Sequence, residues 1–136
     1  MPPRFIDTNI LLRYFTRDDE QKAERSFRLL QRLERGEERA TTSIMVIFET
    51  VFTLQNSYKV SREHVRELVS DILAIRGLQV AGKQLLEDAL AIYATSNISF
   101  ADAFNAASMK AGGINEIYSW DTDFDKLAGI ERVEPA

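Results

Sequence analysis

The chain of 136 residues has no cysteine and a single histidine, His64. The first absence excludes a disulfide framework, a thiolate metal site and a thiol nucleophile, and it fits a cytoplasmic protein. The second removes the side chain that most often moves protons near neutral pH; His64 itself reads as an exposed helix residue with no chemistry. Long hydrophobic runs are also missing. A stretch such as Ile44 to Phe48 falls far short of the ~20 apolar residues of a membrane-spanning helix. The opening Met1-Pro2-Pro3-Arg4-Phe5 has no signal-peptide pattern, so no membrane association is expected.

What is present suits one compact domain, residues 1–136, with 45% hydrophobic content and room for a sizeable core. The net charge of −4 argues against general coating of nucleic acid. Its distribution is uneven: residues 1–40 carry nine Lys/Arg and eight Asp/Glu, whereas 41–136 carry eight and thirteen.

Patterning predicts a short buried strand at Arg4 to Asp7, continuing into helical spacing at Ile10, Leu11, Tyr14 and Phe15. Asp18 or Asp19 caps a helix to about Arg35, with Gly36 as terminator. Thr42 or Ser43 opens a third helix to about Ser57, and Ser61 a fourth that Gly77 ends. A strand at 78–81, helices at 83–95 and 99–111, a buried strand at 116–120, a short helix at 122–127 and a last strand at 131–134 follow. Short strands separated by helices imply an α/β fold of three layers, with a mostly parallel central sheet.

Four isolated acids interrupt apolar surroundings: Asp7 in F-I-D-T-N, Glu49 in M-V-I-F-E-T-V-F, Asp102 in S-F-A-D-A-F-N-A-A and Asp121 in I-Y-S-W-D-T-D. A buried carboxylate needs a cap, a cation or a metal. Asp7 and Asp121 sit where a strand's carboxyl end meets a helix, the edge at which sites form in open α/β sheets. Were the four to converge, each pair about 6 Å apart would repel by about 3 kcal/mol at an effective dielectric near 20. A divalent ion removes that repulsion, and oxygen ligands without His or Cys select Mg²⁺ or Mn²⁺ over Zn²⁺. Thr8, Asn9, Asn105 and Asp123 are placed to orient the acids or bound water.

Each acid also has a plainer explanation. Asp7 and Asp121 are good N-caps, and Ser99-Phe100-Ala101-Asp102 fits a capping box. Glu49 can belong to an exposed stripe with Thr53 and Asn56, although no Lys or Arg between Arg39 and Lys59 offers it a local ion pair. Asp121, Asp123 and Asp125 also mimic the start of an EF-hand loop. That match fails at Lys126, where Gly is required, and at Arg132, where a bidentate Glu is required. Asp125 reads as a surface charge.

Arg25, Arg28, Arg32, Arg35 and Arg39 recur at helical steps. They form either a solvated face with pairs such as Glu24–Arg28, or a ridge whose Arg28, Arg32 and Arg35 contact phosphates.

On these residues the chain resembles the PIN-domain family, especially the VapC-like toxins of toxin–antitoxin pairs. F-I-D-T-N-I-L-L-R-Y looks like the family's N-terminal signature, and Asp7, Glu49, Asp102 and Asp121 match its four acids in order. Asn105 stands where many relatives have His. The resemblance implies a Mg²⁺- or Mn²⁺-dependent endoribonuclease, with Asp7 and Asp102 as principal ligands and Glu49 and Asp121 binding directly or through water. It also implies a cognate antitoxin and a homodimer. Exposed residues among Tyr14, Phe15, Phe52 and Leu54 are candidates for an antitoxin groove, or else belong to the core. Two other functions remain open on the residues alone: a metal-dependent DNA or structure-specific nuclease, and a non-catalytic acidic pocket that binds a partner.

Overall fold

A computed structural model describes residues 2–136. The chain divides into two compact units, one ending at Lys83 and the other beginning at Gln84. The first contains β1 (Arg4–Phe5), α1 (Thr8–Thr16), α2 (Glu20–Glu34), β2 (Ala40–Thr42), α3 (Ile44–Asn56), α4 (Arg62–Leu73) and β3 (Leu78–Val80). Its three strands pair in parallel in the order β1-β2-β3. Parallel neighbours need a crossover, and here each crossover is a pair of helices. α1 packs against α2 and α3, α3 against α4, and α4 against β3.

The helices begin where the sequence supplies a cap. Asp19 accepts from the Lys22 N–H, Ser43 from Val46 and Ser61 from His64. α2 buries Ala23, Ser26, Leu30 and Leu33, a stripe at steps of three and four that seats one face and leaves its arginines outside. At its end Gly36 takes φ 75°, and the Glu37 N–H donates to the Arg32 carbonyl, closing the last turn.

Three expectations for this unit need correction. The strand expected to be buried over Arg4 to Asp7 is only Arg4–Phe5 and is exposed at both residues, with Ile6 after it taking the core position. α4 stops at Leu73, short of the Gly77 expected to end it. Gly77 instead allows a close backbone approach, since an added Cβ would lie 2.5 Å from the Leu33 carbonyl oxygen and 2.6 Å from that of Glu38. The backbone crosses itself there, and only glycine fits. The central strand β2 was not expected at all. Ala40-Thr41-Thr42 is too short to carry a period-two signal, and it becomes a strand through pairing with β1 and β3.

The second unit holds α5 (Lys83–Thr95) from Gln84 onward, α6 (Phe100–Ala111), β4 (Glu116–Tyr118), a 3₁₀ turn (Thr122–Lys126) and β5 (Glu131–Val133). β4 and β5 pair in parallel. Tyr93 of α5 meets Phe100 of α6 edge-on at 5.7 Å. Residues 116–120, expected to be a buried strand, are largely exposed; Tyr118 is 77% and Trp120 69% accessible. No helix among the described residues is long and apolar enough to cross a membrane.

Candidate metal centre and acidic cavity

In the first unit, the carboxyl ends of adjacent parallel strands place two of the acids. The Ile6 N–H donates to the Thr41 carbonyl at 2.8 Å, and the buried Thr42 hydroxyl donates to the Ile6 carbonyl at 2.8 Å. These bonds fix the backbone immediately before Asp7. Asp7 then caps α1, its Oδ1 accepting from the Thr8 N–H at 2.8 Å, and no described residue donates to its other oxygen. Ser43 starts α3 directly after β2.

Asp7, Thr8 and Glu49 line one cavity of about 400 Å³ with Met45, Val46, Phe48 and Phe52. Glu49 faces away from the buried side of α3, which is built on Val46, Ile47, Thr50, Val51 and Leu54. It has no cationic partner among the described residues. The Thr8 hydroxyl is buried without a hydrogen-bond partner among the described residues. Beside a half-free carboxylate, such an orphan marks a place for water or a ligand.

In the second unit the acids gather more closely. One carboxylate oxygen from each of Asp102, Asp121 and Asp123 lies within 4.8 Å of the others. Ser99 caps α6 by accepting from the Asp102 N–H at 3.1 Å, which sets Asp102 in the first turn. Asp121 caps the 3₁₀ turn, its Oδ1 accepting from the Asp123 N–H at 2.9 Å, while Ser119 Oγ accepts from the Asp121 N–H. Buried Phe124 pins this turn, so its polar neighbours remain at the surface. Burial raises the Asp102 carboxyl above its ordinary range, the negative charge of Asp121 raises it further, and bonding to Ser99 offsets part of the rise.

The capping and site roles therefore coincide at Asp7 and Asp121, each of which uses Oδ1 for the cap bond. The premise of buried acids holds only in part, because Asp7, Glu49 and Asp121 are exposed and, of the four, Asp102 alone is held back from solvent.

The supporting residues separate. Thr8 stays with Asp7 and Asp123 joins the triad; Asn9 lines a different cavity, between α1 and α2, and Asn105 is exposed on α6. Asp125 is outside the triad and bonds to Arg132 at 3.2 Å. Arg28 and Arg32 line the α1–α2 cavity with Arg25, whereas Arg35 ends α2 near Glu37. Of the four apolar residues considered for an antitoxin groove, Leu54 is core, Tyr14 and Phe15 are half-buried, and only Phe52 is exposed.

One participant went unread in the sequence. Lys126 Nζ lies 2.9 Å from Asp123 Oδ1 and donates to the Asn97 carbonyl. Its position three residues after Asp123 was the available signal.

The sequence model of the PIN domain family matches residues 4–130. The chain belongs to the PIN domain family. It is also 30% identical to the VapC ribonuclease of Aquifex aeolicus (strain VF5) over 132 residues, 97% of this chain and 96% of that protein. All five acids, Asp7, Glu49, Asp102, Asp121 and Asp123, lie within the span matched by the PIN domain.

The donor chemistry of this PIN domain fits a hard divalent cation. Three carboxylates with no nitrogen or sulfur ligand form an oxygen-only set, and Asp102, raised by burial and then by the charge of Asp121, carries a charge that a cation would stabilise. Lys126 supplies one positive charge at the edge of the triad.

Proposed function

We propose that this single PIN domain, residues 1–136, is a Mg²⁺- or Mn²⁺-dependent endoribonuclease, the toxin of a cytoplasmic toxin–antitoxin pair. The observation that carries the proposal is the oxygen triad of Asp102, Asp121 and Asp123, with Asp102 desolvated and repelled by its neighbour. The full-length similarity to a protein named a ribonuclease supports RNA as the substrate.

In this reading Asp102 and Asp121 would hold the ion, and Asp123 would assist them. Asp7 and Glu49 are assigned to the same activity by their match to the family's acids. Asp7 has one oxygen bonded by the Thr8 N–H, and the Thr8 hydroxyl lacks a partner among the described residues. A bound divalent ion lowers the pKa of water enough to make a nucleophile near neutral pH. His64 is exposed on α4 and lines neither acidic group, so protonation of the leaving oxygen falls to water.

The antitoxin and a second copy of the chain complete the proposed partners. Met45 and Phe52, exposed beside Glu49, give an antitoxin apolar purchase at the cavity mouth.

The test uses purified, antitoxin-free protein incubated with total RNA, and matched RNA and DNA oligonucleotides as competitors. RNA fragments should form with Mg²⁺ and disappear when EDTA replaces it. Equal cleavage in EDTA would remove the metal. Preference for DNA would make the protein a different nuclease, and no cleavage by properly folded protein would leave a pocket that only binds a partner.

A further inference from the structure

A cavity of about 630 Å³ lies between α1 and α2. Five cations line it, Arg13, Lys22, Arg25, Arg28 and Arg32, and no acid does. In a chain of net charge −4, this is a sharp local reversal of sign. The carboxylates nearest these cations lie outside the lining. Asp18 pairs with Arg13 at 2.8 Å, Asp19 with Lys22 at 4.0 Å, Glu24 with Arg28 at 3.2 Å and Glu38 with Arg32 at 3.1 Å. The Lys22 and Arg28 pairs are solvent-exposed and weak, whereas Asp18 is held by Arg13, Thr16 and Tyr58 together. Arg25 has no ion-pair partner among the described residues.

The cavity floor is polar as well. Ser26, 5% exposed, is a polar member of its lining. Ile10, Leu29 and the aliphatic stems of the basic residues supply apolar surface, so apolar contact alone does not choose the occupant. Five cations with no acid in the lining favour an anionic one. A phosphodiester chain would find guanidinium forks that match its oxygens, a hydroxyl beneath, and positive charge along about 15 Å of α2 from Lys22 to Arg32. Asn9 lines the same cavity and stands two residues after Asp7 on the first turn of α1. Asp7 itself lines the separate cavity with Glu49, so the two cavities are neighbours along the first turn of α1.

We propose that the α1–α2 groove is the track for the sugar–phosphate backbone of single-stranded RNA flanking the scissile bond, with Arg25 as its least encumbered contact. The proposal refines the arginine ridge: Arg25, Arg28 and Arg32 act together with Lys22 on α2 and with Arg13 from α1 across the groove, and Arg35 does not take part. Its link to cleavage rests on the ribonuclease reading; its binding claim does not.

The experiment measures fluorescence anisotropy of a labelled oligouridylate in EDTA, between about 50 and 200 mM KCl, so that binding is read without cleavage. The double variant Arg25→Gln/Arg28→Gln should bind about tenfold more weakly than wild type. The slope of its log K against log salt should be shallower by about 1.4, because each single-strand phosphate contact contributes about 0.7. Arg35→Gln should change neither quantity, and circular dichroism should show all variants folded. Unchanged affinity and slope in the double variant would overturn the track. So would an equal loss in Arg35→Gln, which would mean a general charge effect. Groove-dependent binding of decaglutamate, with RNA binding indifferent to the groove, would overturn it in favour of an acidic peptide. Cleavage assayed separately in Mg²⁺ keeps the two proposals apart. Groove-dependent binding by a protein that cuts no RNA sinks only the nuclease, and cleavage with groove-independent binding sinks only the track.

Discussion

Asp102→Asn should abolish RNA cleavage while raising the melting temperature of the metal-free protein. The two effects have one cause. Asp102 is the triad member whose carboxyl is raised, by burial and by Asp121. A group whose pKa is higher folded than unfolded binds protons more tightly in the native state. Stability therefore falls as pH rises from the ordinary carboxylate range through the raised value, and the penalty is fully present at neutral pH. Asparagine cannot ionise, so it removes the penalty. It also removes a ligand charge whose effect on the transition state is worth several kcal/mol, or roughly a thousandfold in rate.

The checks are a cleavage assay in Mg²⁺ and thermal melts in EDTA across pH 4 to 8. The wild type should lose stability relative to Asp102→Asn as pH rises. A constant difference across that range would show that the shift has no energetic weight. Asp7→Asn provides the contrast. It should lose cleavage to a similar extent with little change in melting temperature, since asparagine caps a helix as well as aspartate does. Full activity of Asp7→Asn on a verified RNA would remove Asp7 from the reaction.

Gly77→Ala should cost about 3 kcal/mol, at the upper end for overpacking, and lower the melting temperature by about 10 °C. The Cβ would meet the carbonyl oxygens of Leu33 and Glu38 at 2.5 and 2.6 Å, and both are backbone atoms without a rotamer to yield. The same residue donates its N–H to Leu33 and accepts from the Ala40 N–H at 2.9 Å, so relief would disturb both the end of α2 and the start of β2. Gly113→Ala separates sterics from backbone conformation. Gly113 has φ 70° but nothing within 4 Å of an added Cβ, so only the left-handed penalty of about 1 kcal/mol applies. If both variants melt alike, the close approach at Gly77 carries no special cost.

Local chemistry was legible from the chain alone. The caps at Asp19, Ser43, Ser61 and Ser99 were readable because a cap is a bond to a backbone N–H a few residues away. Helix α5 falls on the expected residues 83–95 because its apolar period is complete within the segment. The four acids were legible as out of place, and their family order could be read without knowing where they lie.

The remainder needed the chain folded. Ala40-Thr41-Thr42 is a strand only because β1 and β3 flank it, 36 to 38 residues away in register. The arginine ridge was evenly spaced on paper, but α2 ends at Glu34, so Arg35 and Arg39 leave the line while Arg13 and Lys22 join Arg25, Arg28 and Arg32. Asp102 differs from Asp7, Glu49 and Asp121 in solvent access, and no local pattern encodes that. The sequence determined which groups this protein owns and how each segment starts. Tertiary structure decided which charges face one another and which lose water, because electrostatic energy depends on distance and solvation rather than on order along the chain.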